Sequence, residues 1–312
     1  SIRRQRQMCI RDSICSDLSV SEGSVRRFVA KLGTMQDQLD AFMKASVMPG
    51  TTLLFDGTSI FTRSGDSLSA RGYNPGHSLN PQARILYIFE KDSHKPVFYR
   101  VLQGSIVDKT AFMDVVTASG CRECVIIADK GFYSKHNLSA LMSAGMKFIL
   151  PLREDTVNVE PEFYENTDDH KFDGVFTYNK RAIWYRKKAS GNRGNFIYTF
   201  RDDHRKAELQ GNYVEKVEKH YGEQPRHPMD VLKETRMGYF SFCSNMDKHP
   251  KEIYLDYKER WDIEQCFDYL KNSVSTSASH AHTDEYFRGW AFLNHISPVS
   301  YTHLRAHETS LH

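Results

Sequence analysis

Between residues 51 and 150, short apolar runs alternate with helix-forming stretches, and this order limits the possible folds more than any other feature of the chain. Strands are predicted at residues 51–55, 85–89, 96–102, 124–128 and 147–150. Helices are predicted at residues 104–119 and 137–144, where apolar positions recur at helical spacing. Three strands, a helix, a strand, a helix and a strand predict a mixed α/β sheet.

Two of the predicted strands run directly into an aspartate. The run TTLLF is followed by Asp56 and Gly57, and the run CVIIA is followed by Asp129. An acid beside a glycine at the end of a buried strand predicts a turn that exposes the carboxylate. Carboxylates at turns are common, so neither aspartate alone indicates a functional site.

A third acid lies in the stretch YKERWDIEQCFDYLK at residues 257–271, which lacks Pro and Gly and is predicted to be helical. At about 100° per residue, one narrow polar face collects four residues beside an apolar face. The four are Tyr257, Arg260, Glu264 and Lys271. A charged surface helix with an Arg260–Glu264 pair is the simpler interpretation of this stretch alone.

Taken together, the three acids indicate a metal site. Asp56, Asp129 and Glu264 come from separate elements, and three such carboxylates can hold two divalent ions for in-line attack on a phosphodiester. Carboxylate oxygens are the ligands that Mg²⁺ prefers. We therefore expect the three side chains to converge within metal-bridging distance.

Residues 151–250 differ in character from the preceding part of the chain. They are polar and show β-type alternation at 174–178, 182–186, 195–200 and 238–244, with a charged helical stretch at 201–221. We expect a mainly β insertion that leaves the core sheet before the helix that contains Glu264. Trp184 in this region would either pack on its strand or stack on an unpaired base near the cleaved end, as aromatic residues do in single-strand recognition.

The two ends of the sequence are discounted. Codons can be chosen for residues 3–13 and 299–309 that spell the two arms of a sequencing adapter pair, so we interpret residues 1–13 and 298–312 as adapter-derived. Residues 14–50 are predicted to be a helical remnant of a truncated N-terminal region. Residues 1–13 contribute all of the formal net charge of +3. A DNA-binding surface must therefore be a local patch.

Cysteine usage and hydropathy exclude other classes. No apolar run of about 18 residues predicts a membrane span. Cysteines are sparse, with six in the whole sequence and Cys9 in the adapter-like stretch, which indicates a reducing compartment. Cys121 and Cys124 have no second pair at zinc spacing, so we interpret them as small residues before a buried strand.

Several motifs resemble DDE transposases of bacterial insertion sequences. They are FDGTSIF around Asp56, IADKGFYS around Asp129 and the pattern Y-x-x-R-x-x-x-E-x-x-x-x-x-x-K that begins at Tyr257. The last pattern resembles the signature of the "insertion sequence 4" group. The resemblance covers about residues 53–297, and TFRDDHRKAEL and GWAFLNHIS also resemble the family.

The resemblance implies an RNase H-like core at residues 51–150 and 251–297, interrupted by the β-rich insertion at 151–250. It implies that Asp56, Asp129 and Glu264 are the catalytic triad and the ligands of two Mg²⁺ or Mn²⁺ ions. Tyr257, Arg260 and Lys271 would bind phosphates of the transposon end. Transposon-end DNA and target DNA are the implied partners, with a homodimer in the DNA complex and a location in the bacterial cytoplasm, associated with the nucleoid.

Two alternatives remain at this point. An RNase H-like nuclease or junction resolvase needs the same acids but needs neither the Tyr-Arg-Lys companions nor the β insertion. A non-catalytic DNA-binding derivative is expected to have lost an acid, and all three acids are present.

Overall fold

The computed structural model describes residues 21–62, 67–72, 80–93, 95–106, 108–153, 171–190, 194–221, 237–260 and 281–309 of the 312-residue chain. Its strands are β1 (Thr52–Phe61), β2 (Gln82–Glu90), β3 (Lys95–Gln103), β4 (Val125–Ala128), β5 (Lys147–Pro151), β6 (Gly174–Tyr178), β7 (Arg181–Ser190), β8 (Asn195–Asp202) and β9 (Tyr239–Ser244). Its α-helices are α1 (Glu22–Thr34), α2 (Gln36–Lys44), α3 (Asp108–Ser119), α4 (Lys135–Ser143), α5 (Asp203–Tyr221), α6 (Pro250–Lys258) and α7 (Asp284–Thr309).

All nine strands join one mixed sheet in the order β3-β2-β1-β4-β5-β9-β8-β7-β6. Strands β1, β2 and β3 are antiparallel neighbours, whereas β4 and β5 run parallel to β1. Helix α3 connects β3 to β4, and helix α4 connects β4 to β5. The five strands predicted within residues 51–150 are present, and their arrangement confirms the predicted RNase H-like mixed sheet.

Helices cover both faces of the core sheet. On one face, the ring of Phe55 meets Phe112 of α3 edge-on at 5.1 Å between centroids. On the other face, Tyr87 and Tyr99 contact the imidazole of His295 on α7. Burial lowers the pKa of His295 to about 4, so this imidazole is neutral at pH 7 and acts as part of the core.

The expected turn at Asp56 is wrong. Strand β1 continues through Asp56 and Gly57 to Phe61, and Asp56 lies opposite Tyr87. The physical reason is the partner strand, because β2 pairs with β1 from Leu53 to Phe61 and holds the backbone extended. Asp56 is therefore within a strand, at the point where parallel pairing with β4 ends.

The β-rich region does not leave the core sheet as we expected. Strand β9 pairs antiparallel with β5, and β8, β7 and β6 follow in turn, so these four strands extend the core sheet. This pairing covers the edge that β5 would otherwise expose. The strands and the helix predicted in this region are present, while the domain boundaries at 151 and 250 stay predictions.

Helices from the two ends of the described chain pack against each other. A Cβ placed on Gly33 of α1 would lie 1.7 Å from the carbonyl oxygen of Glu285, and one on Gly289 of α7 would lie 1.9 Å from that of Val29. The helix backbones therefore touch where they cross, which only glycine permits.

The boundary expected between residues 297 and 298 falls within α7. None of the described helices is long and apolar enough to cross a bilayer.

The cysteine pair packs as interpreted from the sequence. Cys121 and Cys124 are buried free thiols just before β4, and the Cys124 thiol lies 3.1 Å from the carbonyl oxygen of Arg122. A hydrogen bond from the Cys121 thiol lowers the pKa of Cys124 to about 6.

Candidate active site

Asp56 and Asp129 lie side by side on adjacent parallel strands. Phe55 of β1 is in register with Ala128 of β4, so the two aspartates occupy the next position on each chain. Neighbouring strands are about 4.8 Å apart. Asp129 keeps an extended backbone, with φ −75° and ψ 165°, so both side chains leave the same face of the sheet. We call this face the acidic face.

The Asp56 carboxylate is oriented by its own backbone. Its Oδ1 accepts a hydrogen bond of 2.7 Å from the N–H of Gly57. The residue is half-buried between β2 and β4, the two strands that flank β1. This local hydrogen bond fixes the orientation of the carboxylate.

The chain after Asp129 is held by buried contacts. A 3-10 turn at Lys130–Phe132 follows directly, and the buried Phe132 ring packs 5.1 Å from Phe112. The amide of Asn137 donates hydrogen bonds of 2.9 Å to the carbonyl oxygens of Phe132 and Lys109. The Asp129 side chain itself remains 42% exposed, so a rigid turn presents an accessible carboxylate.

Strands β6 to β9 form what we call the β extension of the core sheet. Helix α6 lies across this extension on the acidic face. It begins at Pro250, whose fixed φ suits a first helical position, and the His249 imidazole caps it by accepting the N–H of Lys251. Tyr254 is buried against the rings of Phe176, Phe200 and Phe240. Ile127, two residues before Asp129, pairs with Ile149 of β5, which pairs with Ser244 of β9. Residues paired across strands share a face, so Ser244 is on the acidic face, and alternation places Phe242 and Phe240 there as well.

Two of the four signature residues are described, and one of them, Arg260, lies beside Asp129. The Tyr257 ring packs 4.3 Å from Phe242 of β9, and the guanidinium of Arg260 lies 5.5 Å from the centroid of the Tyr257 ring. Arg260 Nη2 is 3.9 Å from Asp129 Oδ1, and its side chain is only 11% exposed. A largely buried cation therefore borders the pair of aspartates.

An ion-pair network that the sequence did not indicate holds the end of α6. Lys91, just after β2, contacts Asp256 at 2.7 Å and Glu259 at 3.0 Å, and Lys248 contacts Asp256 at 3.1 Å. Burial alone would raise the pKa of Asp256, but the two lysines outweigh it and lower that pKa. No motif or spacing marks Lys91, because its partners are more than 150 residues away.

Of the remaining predicted site residues, the structure describes only Trp184. Glu264 and Lys271 lie outside the described residues. Trp184 pairs with Arg201 and Tyr239 across β7, β8 and β9, and alternation puts it on the face opposite the aspartates. Its ring contacts Phe172 at 5.8 Å and the Arg201 guanidinium at 5.1 Å.

The described part of the chain contains no group of three or more His, Cys, Asp or Glu side chains arranged to hold a metal. Asp56 and Asp129 are the residues suited to one, because adjacent carboxylates supply the hard oxygen ligands that Mg²⁺ prefers. Two carboxylates and a neighbouring guanidinium can together bind a metal-coordinated phosphate.

Residues 48–297, most of the chain, match the protein-family model described as "Transposase DDE domain". The chain belongs to this transposase family. Both aspartates and the whole nine-stranded sheet lie within the matched residues of the transposase domain. No curated protein matches the sequence.

The transposase domain is also similar to solved structures. The piggyBac transposase in its synaptic complex with hairpin DNA aligns with a TM-score of 0.51 and 12% identity over 88% of this chain and 52% of that chain. A Mos1 paired-end complex with the left transposon end aligns with a TM-score of 0.22 and 10% identity over 51% and 52% of the two chains. A pre-cleavage Mos1 transpososome gives 0.22 and 7% over 83% and 64%. The chain thus spans about half the length of the piggyBac protein, whose fold it shares.

Proposed function

We propose that this chain cleaves DNA at transposon ends and joins the freed ends to target DNA, as a member of the "insertion sequence 4" group. The observation that carries the proposal is the register that sets Asp56 beside Asp129, with Arg260 of the signature next to them. The family match supports the assignment as a transposase, and the Tyr-Arg-Glu-Lys signature in the sequence supports the group.

In this proposal Asp56, Asp129 and Glu264 would hold two Mg²⁺ or Mn²⁺ ions, which would supply an activated water and stabilise charge on the phosphoryl oxygens. The hydrogen bond from Gly57 orients Asp56, and the turn at residues 130–132 positions Asp129. Arg260 forks onto phosphate oxygens, Lys271 adds a point charge and Tyr257 donates one hydrogen bond.

Trp184 has a separate place in the proposal. Because it lies on the opposite face, it would bind an unpaired base that passes around the edge of the sheet, away from the scissile phosphodiester. Its contacts with Phe172 and Arg201 also fit a packing role. A folded Trp184→Ala variant that cleaves at the normal rate would establish the packing role.

The partners in the proposal are transposon-end DNA and target DNA, bound by a homodimer in the bacterial cytoplasm. The resemblance of the three sequence motifs to insertion-sequence transposases supports these assignments.

The test uses the full chain and a supercoiled plasmid that carries the natural flanks of its gene. We expect nicks with free 3′-OH groups at the flank boundaries in Mg²⁺, joined products with a second plasmid, and neither product in EDTA. Asp56→Asn, Asp129→Asn and Glu264→Gln should each abolish cleavage and retain DNA binding, whereas the exposed Asp114→Asn on α3 should cleave normally. If the protein nicks DNA with no preference for the flanks and forms no joined products, it is an RNase H-like nuclease. If the wild-type protein binds DNA but does not cleave it, it is a non-catalytic DNA-binding protein.

A further inference from the structure

Three cations lie together on the acidic face of the β extension, at some distance from the aspartates. We call Arg181, Arg205 and Lys258 the edge cluster. Lys258 Nζ lies 5.3 Å from the ring centroid of Tyr254 and 5.8 Å from that of Phe240, and Arg205 Cζ lies 5.9 Å from the same Phe240 ring. Arg205 and Lys258 therefore both lie over the Phe240 ring at cation–π distance.

A single buried carboxylate organises the cluster. Asp202 is 2% exposed, its Oδ1 accepts the backbone N–H of Arg205 at 3.0 Å, and its Oδ2 lies 3.5 Å from Arg181 Nη1. Arg181 also lies 3.6 Å from Glu208, whose side chain is 51% exposed. The pKa of Lys258 is lowered, first by burial and then by the charge of Arg205, while the charge of Asp202 acts to raise it. Arg205 therefore affects the pKa of Lys258 more strongly than Asp202 does.

The edge cluster is on the same edge of the sheet as the aspartates. The pairs Pro151–Phe242, Arg201–Tyr239 and Ile183–Asp202 show that the carboxyl end of β5 meets the start of β9, the end of β8 and the start of β7. Strand β4 is three positions from β8 and four from β7 in the sheet. At about 4.8 Å per strand, the end of β8 and the start of β7, which carry Asp202 and Arg181, lie roughly 14–19 Å from Asp129 along this edge.

The cluster is open to a partner. Arg205 is exposed, and Arg181 and Lys258 are partly exposed. Guanidinium groups fork onto phosphate oxygens, and a lysine ammonium binds them as a point charge. A nucleic-acid backbone presents such anions, spaced about 3.4 Å per nucleotide along each strand.

We propose that the edge cluster binds backbone phosphates of the DNA about four to six nucleotides from the scissile phosphodiester, on one side of it. This inference rests on the proposed function, because the scissile phosphodiester is placed at Asp56 and Asp129. It adds a second phosphate contact that sets the direction in which the duplex leaves the active site. The motif TFRDDHRKAEL contributes to this surface through Asp202 and Arg205.

The first test measures DNA binding over a salt series with the full chain. Arg205→Gln and Lys258→Met remove one charge each and keep much of the side-chain stem. Each should lower the salt slope by about one unit, and the double variant by about two. Arg181 is left unchanged, because its loss would uncover the buried Asp202. The matched control is Lys188→Gln, toward the other end of β7, which should leave the slope unchanged.

The second test locates the contact on the DNA. Neutral methylphosphonate groups are placed one at a time on both sides of the cleavage position. Wild type should lose affinity for substitutions about four to six nucleotides away on one side, and the Arg205→Gln/Lys258→Met protein should show no such loss. Thermal unfolding of each variant separates a local effect from misfolding. If Lys258→Met is destabilised, the Arg205→Gln variant alone tests whether the edge cluster binds phosphates.

The outcomes separate the two proposals. Wild type that cleaves flank DNA, with variants of unchanged slope and unchanged methylphosphonate pattern, overturns the edge cluster alone. Wild type that neither binds nor cleaves DNA overturns the proposed function and this inference together.

Discussion

At the level of single residues, Arg260 connects the proposed chemistry with the proposed phosphate binding. Its guanidinium lies 3.9 Å from Asp129 and over the Tyr257 ring, and the side chain is largely buried. A cation next to a metal-binding carboxylate repels a divalent ion while it attracts a phosphate. The same residue should therefore act in opposite directions on the two ligands.

We predict that Arg260→Gln strengthens metal binding and weakens DNA binding. Without DNA, Mn²⁺ should bind several-fold more tightly, because the neighbouring positive charge is removed. DNA affinity should fall, with a salt slope lower by about one unit. Calorimetry with Mn²⁺ and a DNA salt series measure the two effects, with Asp129→Asn as the control that loses metal binding. Weaker Mn²⁺ binding by Arg260→Gln would contradict the assignment of Asp129 as a ligand.

A second residue-level prediction concerns Asp256. Its pKa in the folded protein is lowered, so its contribution to stability is present above the unfolded pKa of about 4 and disappears as the pH falls through the folded value. Asp256→Asn should therefore lower the free energy of unfolding at pH 7 by roughly 1–3 kcal/mol. Urea denaturation at pH 7 and pH 2.5 checks this, because the difference from wild type should shrink at the lower pH. The exposed Asp114→Asn serves as the control for replacing a surface aspartate.

At the level of elements, α6 depends on one buried aromatic residue. We predict that Tyr254→Ala lowers the free energy of unfolding by about 3–5 kcal/mol, since it leaves a cavity among Phe176, Phe200 and Phe240. Tyr254→Phe keeps the ring and should lose about 1 kcal/mol or less. Chemical denaturation measures both. Cleavage should decline with Tyr254→Ala, because the same helix carries Tyr257, and a Tyr254→Ala protein as stable as wild type would show that α6 is not anchored here.

The elements also show how far the sequence leads. Apolar runs predicted the five core strands, whereas the convergence of Asp56 and Asp129 with Glu264, expected from their placement on strand ends and on a polar helical face, stays a prediction. The expected turn at Asp56 was wrong because β2, which lies beyond a loop, keeps β1 extended past it. The β5–β9 pairing and the Lys91–Asp256 contact join residues far apart in sequence, which local patterns do not report.

At the scale of the whole molecule, the crossing of α1 and α7 ties the first described helix to the last. We predict that Gly33→Ala and Gly289→Ala each lower the free energy of unfolding by at least about 1–3 kcal/mol, because a Cβ at either position meets a backbone carbonyl. Gly211→Ala is the matched control. It lies in α5 with nothing within 4 Å, and it should be neutral or stabilise by up to about 1 kcal/mol. Equal unfolding midpoints for Gly33→Ala and wild type would contradict the close crossing.

The glycine crossing also has a consequence for synthesis of the chain on the ribosome. Helix α7, which touches α1, is synthesised about 250 residues after it. At a translation rate of about 5–20 residues per second, roughly 13–50 s pass between the synthesis of α1 and that of α7. During that interval the side of α1 that α7 will cover, including Val29 and Gly33, is available to chaperones, and the nascent chain should stay sensitive to protease near α1 until α7 has left the exit tunnel.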